Sequence, residues 1–168
     1  SYNNVGCSDD ILIPLLRGRV INDASLLGRE DYHTWMMYQI MIDRFCNGNP
    51  TNDWKIASKD VLPKVDYFGG DIAGIDQKLL DGYFDRLGMN TIWISPISCN
   101  PYTAWGLNKD PYTKFSGYHG YWPVTQTTID PRFATEEELH KLITDVHNAD
   151  KSIILDYVAN HVHLESAV

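Results

Sequence analysis

Cysteine is scarce in this 168-residue sequence, which has only Cys7, Cys46 and Cys99 and no Cys-x-x-Cys pair. Three cysteines are too few for a disulfide framework, and the missing paired spacing argues against a thiolate zinc site. Basic residues are also few: Lys and Arg number 14 against 22 Asp and Glu, and the net charge is −8. An acidic chain repels a phosphate backbone, so nucleic acid is not an expected partner, and a neutral substrate or a cation fits better.

The N-terminal region lacks a long apolar run, and the sequence lacks the common phosphate-loop motifs. The apolar segment at residues 11–16 is short, contains Pro14 and follows Asp9 and Asp10, so it is neither a membrane span nor a typical signal peptide. The glycines at 69–74 match neither GxGxxG nor GKS/T. We therefore expect no membrane span and no phosphate-binding loop.

Three short apolar segments alternate with two helical patterns. The segments at 35–42, 91–94 and 152–158 are typical of strands buried on both faces of a parallel sheet. A broad apolar stripe predicts one helix over 75–87, and a capping box opens a second helical pattern over 135–146. The order strand, helix, strand, helix, strand predicts a parallel α/β sheet with right-handed crossovers. The apolar segment at 11–16 predicts a further short strand, and 98–132 is expected to be a long loop.

The loop after the first predicted strand is rich in short oxygen-bearing side chains. Asn47, Asn49, Asn52 and Asp53 could converge on one hard cation, because Asn and Asp supply oxygen ligands without long stems. The spacing does not match an EF-hand. The alternative is a loop in which Asn and Gly only form turns.

The loop after the second predicted strand is unusually aromatic. Seven aromatic residues lie between Tyr102 and Trp122, where the chain average of 12% gives two or three. Rings at this density in a loop indicate stacking on a ligand, and sugar faces suit Tyr and Trp. The alternative is a small core within a long ordered loop. After the third strand, His161 and His163 have the HxH spacing of metal-dependent hydrolases, although lone histidines are more often structural.

Six segments occur in an order and spacing that resemble the N-terminal part of an α-amylase family glycoside hydrolase, nearest to its cyclodextrin-forming and neopullulanase-like branches. They are YQIMIDRFCNGNPTND, YFGGDIAGI, NTIWISPI, GYHGYWPV, IDPRFAT and LDYVANH, and they span about residues 35–163. The resemblance implies an α/β fold in which this chain holds the first three β/α units of a TIM-type (β/α)8 barrel, incomplete in this chain. It further implies an N-terminal extension at 1–33, barrel sequence at 34–157, and the start of a loop or small domain at 158–168.

The resemblance implies calcium as the cofactor. A structural calcium ion would be bound after the first strand and at the GGD turn by Asn47, Asn49, Asn52, Asp53, the Gly69 carbonyl and Asp71. Some relatives have Asp where this chain has Asn47, so the site has fewer carboxylates. Asn160 matches a ligand of a second calcium ion.

The resemblance also implies sugar-binding residues. Tyr121 matches a ring that stacks under the sugar beside the scissile bond, and His119 and His161 match histidines that bind its hydroxyls. Asp156 matches a buried aspartate that orients its neighbours, and Trp122 is expected to pack in the loop or contact sugar.

The catalytic carboxylates of the family follow later barrel strands and have no counterpart in this chain. We therefore expect a fragment of a retaining glycoside hydrolase acting on α-1,4-glucans (starch, maltodextrin or cyclodextrin), inactive alone and needing the remainder of the barrel for closure. The alternatives are a non-catalytic glucan-binding relative or fragment and, more weakly, a metal-dependent hydrolase using His161 and His163.

Overall fold

The computed structural model describes residues 15, 16, 18–20 and 32–166, and the chain divides into two compact units, residues 1–34 and 35–168. In the first unit, strands β1 (Leu15–Leu16) and β2 (Arg19–Val20) pair antiparallel. Part of the strand predicted at 11–16 is thus present as β1, and residues 11–14 lie outside the described residues. Cys7 also lies outside them.

The described part of the second unit, residues 35–166, contains three parallel strands, a hairpin and four α-helices. In chain order these are β3 (Met37–Ile40), α1 (Ile42–Phe45), α2 (Ile72–Leu80), α3 (Tyr83–Arg86), β4 (Thr91–Ile94), β5 (Trp105–Lys109), β6 (Tyr112–Phe115), α4 (Glu136–Asn148) and β7 (Ser152–Leu155). No helix among the described residues has the length and apolar character needed to cross a bilayer.

The predicted parallel sheet is confirmed, with strand order β3-β4-β7. Tyr38, Ile92 and Ile153 align across the three strands, and Ile40 and Ile94 align two residues further on. These side chains pack against α2 and α4 in a core that includes Ile72, Ile75, Leu142 and Val146. Parallel pairing places the carboxyl ends of all three strands at one edge of the sheet.

The prediction that all three strands are buried on both faces is wrong. Only the central strand β4 is mostly buried, whereas Met37 in β3 is 50% exposed and Leu155 in β7 is 41% exposed. The reason is that β3 and β7 are the two edge strands of this sheet, and each has a strand neighbour on one side only. Both strands are also shorter than predicted, because α1 begins at Ile42 and β7 ends at Leu155.

The single helix predicted over 75–87 is two helices, α2 and α3. Gly82 between them has φ 75°, in the left-handed region that glycine adopts without steric cost. The break turns the second helix so that Phe84 is fully buried while Leu80 is 66% exposed. An apolar stripe cannot reveal this break, because Gly is tolerated within a helical pattern.

The loop predicted at 98–132 contains the antiparallel hairpin β5–β6, which the sequence pattern did not reveal. By contrast, the predicted capping box of α4 is present. Thr135 Oγ1 accepts a hydrogen bond from the Glu138 backbone N–H at 3.2 Å, and Glu138 Oε2 accepts one from the Thr135 N–H at 2.8 Å. Two of the unpaired donors at the start of the helix are thereby satisfied.

We predict that Thr135→Ala lowers the free energy of unfolding by about 1 kcal/mol, because one N-terminal donor of α4 loses its acceptor. Thr144→Ala is the matched control, since Thr144 lies in the same helix and only hydrogen-bonds the His140 carbonyl. We expect Thr144→Ala to change stability by less than about 0.5 kcal/mol. Equal losses in chemical denaturation of the two variants would contradict this role of the cap.

Candidate functional site

Tyr121 and Asp156 meet at the carboxyl ends of the parallel strands. Asp156 directly follows β7, and its backbone N–H is bonded to the Ile94 carbonyl at the end of β4. The Tyr121 hydroxyl donates to Asp156 Oδ2 at 2.5 Å. This hydrogen bond raises the pKa of Tyr121 to about 12, with burial adding to the shift, so the phenol stays protonated and its ring is fixed.

Two histidines hold the backbone of Tyr121. His119 Nδ1 accepts a hydrogen bond from the Tyr121 N–H at 2.9 Å, and His161 Nε2 donates to the Tyr121 carbonyl at 2.8 Å. The His119 and Tyr121 rings are nearly parallel, with centroids 6.0 Å apart. We refer to Tyr121, His119, His161 and Asp156 as the Tyr121 cluster.

Burial of the imidazole lowers the pKa of His119 to about 4, and the nearby positive charge of Arg44 adds to the effect. His119 is therefore neutral at physiological pH. Since its Nδ1 is an acceptor, the proton of the neutral ring is on Nε2, which can donate to a ligand.

The structure brings all the predicted sugar-binding residues together. Trp122 also lies beside the Tyr121 cluster: its ring meets His119 edge to face with centroids 4.7 Å apart, and its backbone N–H donates to Asn100 Oδ1 at 2.9 Å. His161 differs from expectation in one respect. Its Nε2 is engaged by the Tyr121 carbonyl, and its Nδ1 lies 3.3 Å from Asn160 Nδ2, so it supports Tyr121 rather than presenting a free N–H.

Arg44 is a residue of this region that the sequence reasoning did not identify. Its guanidinium lies between the Phe68 and Tyr118 rings, 3.8 Å from each centroid. It also donates to Asp43 Oδ2 at 2.5 Å and to the Asp66 carbonyl at 2.8 Å. The signal that could have found it is the Asp43-Arg44 pair directly after an apolar strand, where charges are buried only when paired.

A second overlooked group supports the aromatic loop. Arg132 makes a buried bidentate ion pair with Asp130, at 2.7 Å and 2.6 Å, and donates to the carbonyls of Asn100 and Pro101. Its guanidinium also lies over the Tyr102 ring at 4.4 Å. The pair thus fixes the start of the loop that carries His119 and Tyr121.

Three of the predicted calcium ligands, Asn47, Asp53 and Gly69, lie in contact at the GGD turn. Asn47 Nδ2 donates to both carboxylate oxygens of Asp53, at 2.7 Å and 2.9 Å. Gly69, at φ 94°, lies against this pair, and a Cβ at that position would be 2.4 Å from Asp53 Oδ1. Asn52 Oδ1 is buried and has no hydrogen-bond partner among the described residues. An unpaired buried acceptor in the same loop as a carboxylate is an atom that a cation could satisfy.

Asp71 and Asn49 have clear structural roles. Asp71 is buried and caps α2: Oδ1 accepts from the Gly48 and Gly74 N–H groups, and Oδ2 accepts from the Asn49 N–H at 2.8 Å. Asn49 Oδ1 accepts from the backbone and hydroxyl of Thr51. Both residues therefore shape the loop, and Asp71 Oδ2 retains capacity for a further contact.

The histidines of the HxH motif do not converge. His161 is directed to Tyr121, whereas the His163 ring meets Trp105 edge to face with centroids 4.5 Å apart. Within residues 15–16, 18–20 and 32–166, no three His, Cys, Asp or Glu side chains are grouped to hold a metal ion. The zinc alternative gains no support from this arrangement. A calcium site formed mainly by amide and carbonyl oxygens would not need such a group.

The parallel α/β fold and the side chains at the carboxyl ends of its strands define a class of protein, and comparison with known sequences identifies the same class. Residues 39–168 match the family described as alpha amylase, catalytic domain, so the chain belongs to this family of TIM-barrel domains. The resemblance inferred from the six segments is thereby confirmed.

Several relatives are similar over most of the chain. A cyclomaltodextrin glucanotransferase of Bacillus sp. (strain 1-1) is 32% identical over 153 residues, which are 90% of this chain and 21% of the relative. An α-amylase of Niallia circulans is 31% identical over 82% of this chain and 26% of its own length. The crystal structure of an Anoxybacillus α-amylase superposes with a TM-score of 0.61 at 37% identity, covering 76% of this chain and 24% of that one. The chain thus spans about a fifth to a quarter of the length of these relatives.

We predict a pH dependence of stability that originates at His119. Because the folded pKa is about 4 and the unfolded value about 6.5, the unfolded chain binds the extra proton between these values, and stability falls as pH falls through that window. The resulting loss in the free energy of unfolding between pH 7 and pH 4 amounts to about 3 kcal/mol. The stability difference between wild type and His119→Gln should therefore shrink by about this amount from pH 7 to pH 4 in chemical denaturation.

His140→Gln, an exchange of an exposed histidine on α4, is the control and should follow the wild-type pH profile. A stability difference between wild type and His119→Gln that stays constant from pH 4 to pH 7 would contradict the assignment.

Proposed function

We propose that this chain is the first part of the catalytic barrel of a retaining glycoside hydrolase or transglycosylase that acts on α-1,4-glucans. The Tyr121 cluster, at the carboxyl ends of the strands where barrel enzymes bind substrate, is the observation that carries the proposal. The names of the relatives, which are cyclomaltodextrin glucanotransferases and α-amylases, support this substrate class. The three parallel strands correspond to the first three β/α units of the (β/α)8 barrel.

The Tyr121 ring offers a flat apolar face to the C–H groups of a glucose unit. Its orientation is fixed by Asp156, so little side-chain freedom is lost on binding. The His119 Nε2–H group donates to a hydroxyl of the same sugar, because the Tyr121 N–H occupies Nδ1 and keeps the ring proton on Nε2. A direct contact from His161 requires its release from the Tyr121 carbonyl.

Hydrolysis of a glycosidic bond with retention of the anomeric configuration requires two carboxyl groups about 5–5.5 Å apart, one as nucleophile and one as acid/base. Several buried carboxylates of the described residues are bonded within the protein itself. Asp43 and Asp71 accept backbone N–H groups, and Asp130 binds Arg132. We propose that the catalytic pair belongs to a part of the protein outside these 168 residues and that this chain alone is inactive.

The activity is tested by incubating the intact protein with soluble starch, cyclodextrin and pullulan and measuring reducing sugar. Release from starch or cyclodextrin is expected.

The commitment of the buried carboxylates also favours a second candidate, a glucan-binding protein without activity. Binding of maltooligosaccharides without release of reducing sugar would support this second candidate, and absence of both would exclude the two.

For Tyr121→Ala we predict a loss of kcat/KM on soluble starch of about a hundredfold in the intact protein, because both the stacking face and its anchoring to Asp156 disappear. The melting temperature should change little, since the ring is half-buried. Tyr121→Phe keeps the face and loses only the hydroxyl, so it should retain most of the affinity. A parallel loss of stability and activity in Tyr121→Ala would instead indicate a packing role.

Calcium is proposed at the GGD turn, and the described residues fit it. Asn47, Asn52 and Asp53, the Gly69 carbonyl and Asp71 Oδ2 would hold the ion. Rotating the Asn47 amide by half a turn exchanges its nitrogen for its oxygen, which supplies the ligand type that calcium requires. The ion would link residues 47–53 to the GGD turn and satisfy the buried Asn52 oxygen. Asn160 is kept as a candidate ligand of a second calcium ion.

We predict that calcium raises the melting temperature of the wild type and that EDTA reverses the rise, because a ligand of the folded state alone stabilises it. Asp53→Ala should remove the effect, whereas Asp60→Ala, at a half-buried aspartate that pairs with Lys114 instead, should preserve it.

Asn47→Asp provides a sharper test of the calcium site. In EDTA two carboxylates face each other and the variant should be less stable than the wild type, whereas in calcium the extra charge should tighten binding and make it more stable. The same order of stability in both conditions would exclude the site.

A further inference from the structure

Asn47 is followed directly by Gly48, and this is the only Asn-Gly pair in the sequence. In such a pair the backbone nitrogen of the glycine can attack the side-chain amide carbon of the asparagine, because glycine has no Cβ to obstruct the approach. Asparagine is accordingly one of the residues that degrade when a protein is heated. How fast the pair reacts depends on how the surrounding structure holds the two reacting groups.

The attacking atom, the Gly48 nitrogen, is held by Asp71. The Gly48 N–H donates to Asp71 Oδ1 at 3.0 Å, and the Asp71 carboxylate is fully buried. Gly48 is also tightly packed, since a Cβ at this position would lie 2.2 Å from the backbone nitrogen of Gly74 in α2. The Gly48 nitrogen is therefore released only when the loop at 47–53 moves away from α2.

The group under attack, the Asn47 amide, is held by Asp53. Asn47 Nδ2 donates to both carboxylate oxygens of Asp53, at 2.7 Å and 2.9 Å. Hydrogen bonds to an ionised acceptor are stronger than neutral ones, so this contact fixes the orientation of the amide. Both side chains are exposed, and water therefore has access to the pair. To meet the Gly48 nitrogen, the Asn47 amide must first leave Asp53.

We propose that Asn47 is a latent deamidation site, which its contact with Asp53 and the contact of Gly48 with Asp71 keep unreactive until the loop opens. In the open loop the Gly48 nitrogen forms a bond to Asn47 Cγ, the Cγ–Nδ2 bond breaks, and the side-chain nitrogen leaves as ammonia with the proton of the Gly48 N–H. Water then opens the cyclic imide and leaves aspartate or isoaspartate at position 47.

The modification changes the electrostatics of the loop. A neutral amide that donates to Asp53 is replaced by a carboxylate, so two like charges then face each other. We expect the modified chain to be less stable than the unmodified chain in EDTA. The proposal depends only on the contacts of Asn47 and Gly48, and it holds whether or not the protein acts on glucans or binds calcium.

The test measures deamidation of Asn47 in the full 168-residue chain, in EDTA at mildly alkaline pH, by tryptic digestion and mass spectrometry with fragmentation to locate the modified residue. Circular dichroism identifies the folded and the urea-unfolded samples. The folded wild type should react at least about tenfold more slowly than the unfolded chain, because the rate then follows the population of the open loop. Asn49 and Asn52, in the same tryptic peptide, are internal references that should stay unmodified.

Asp53→Ala frees the Asn47 amide and should speed deamidation of the folded chain about threefold, as expected for the loss of an exposed charged contact. In urea the variant should react as the wild type does. Asp60→Ala is the matched control, because Asp60 pairs with Lys114 and should leave both rates unchanged. Equal rates in the folded and unfolded wild type would overturn the proposal, and so would equal folded-state rates in the wild type and Asp53→Ala.

Discussion

The carboxylate of Asp43 is fully buried at the end of the first parallel strand, and it accepts hydrogen bonds from the backbone N–H groups of Phe68 and Gly69. Burial raises the pKa of Asp43, while those donors and Arg44 act in the opposite direction and stabilise its charge. Asp66, Asp71 and Asp130 repeat this arrangement with other loop amides. These backbone N–H groups have no partners from a helix or a sheet. Buried carboxylates accept hydrogen bonds from them instead.

The pairing of buried carboxylates with loop N–H groups explains how the candidate sites are held on segments that form no helix or strand. The loop at 47–53 is shaped by Asp71, and the aromatic loop is tied down by Asp130 and Arg132. Tyr121 is then positioned by hydrogen bonds from both its backbone and its hydroxyl. The same principle extends to Trp105, whose indole is ordered through Thr103 and Glu165. Preordered rings and donors lose less conformational entropy when a ligand binds.

Sequence reasoning worked best where a local pattern has one structural meaning. The strand at 91–94, the capping box at Thr135 and the parallel order were all predicted correctly, because periodicity and capping depend on neighbouring residues. Sequence reasoning failed where residues far apart in sequence determine the local structure or its exposure. The break at Gly82 depends on how α3 packs Phe84, and the exposure of Met37 depends on which strands flank β3. The hairpin β5–β6 also lacked an alternating apolar pattern.

The sequence by itself determined the family and the parallel α/β class, and it supplied the residue types of the proposed sugar and calcium sites, because these follow from ordered motifs and local patterns. Only the tertiary structure decided which atoms of these residues form hydrogen bonds within the protein. His161 supports the Tyr121 carbonyl, Asp71 caps α2, and the oxygen of Asn52 is buried without a partner among the described residues. The physical reason is that a hydrogen bond depends on distances of about 3 Å between residues far apart in sequence, and no local pattern encodes such distances.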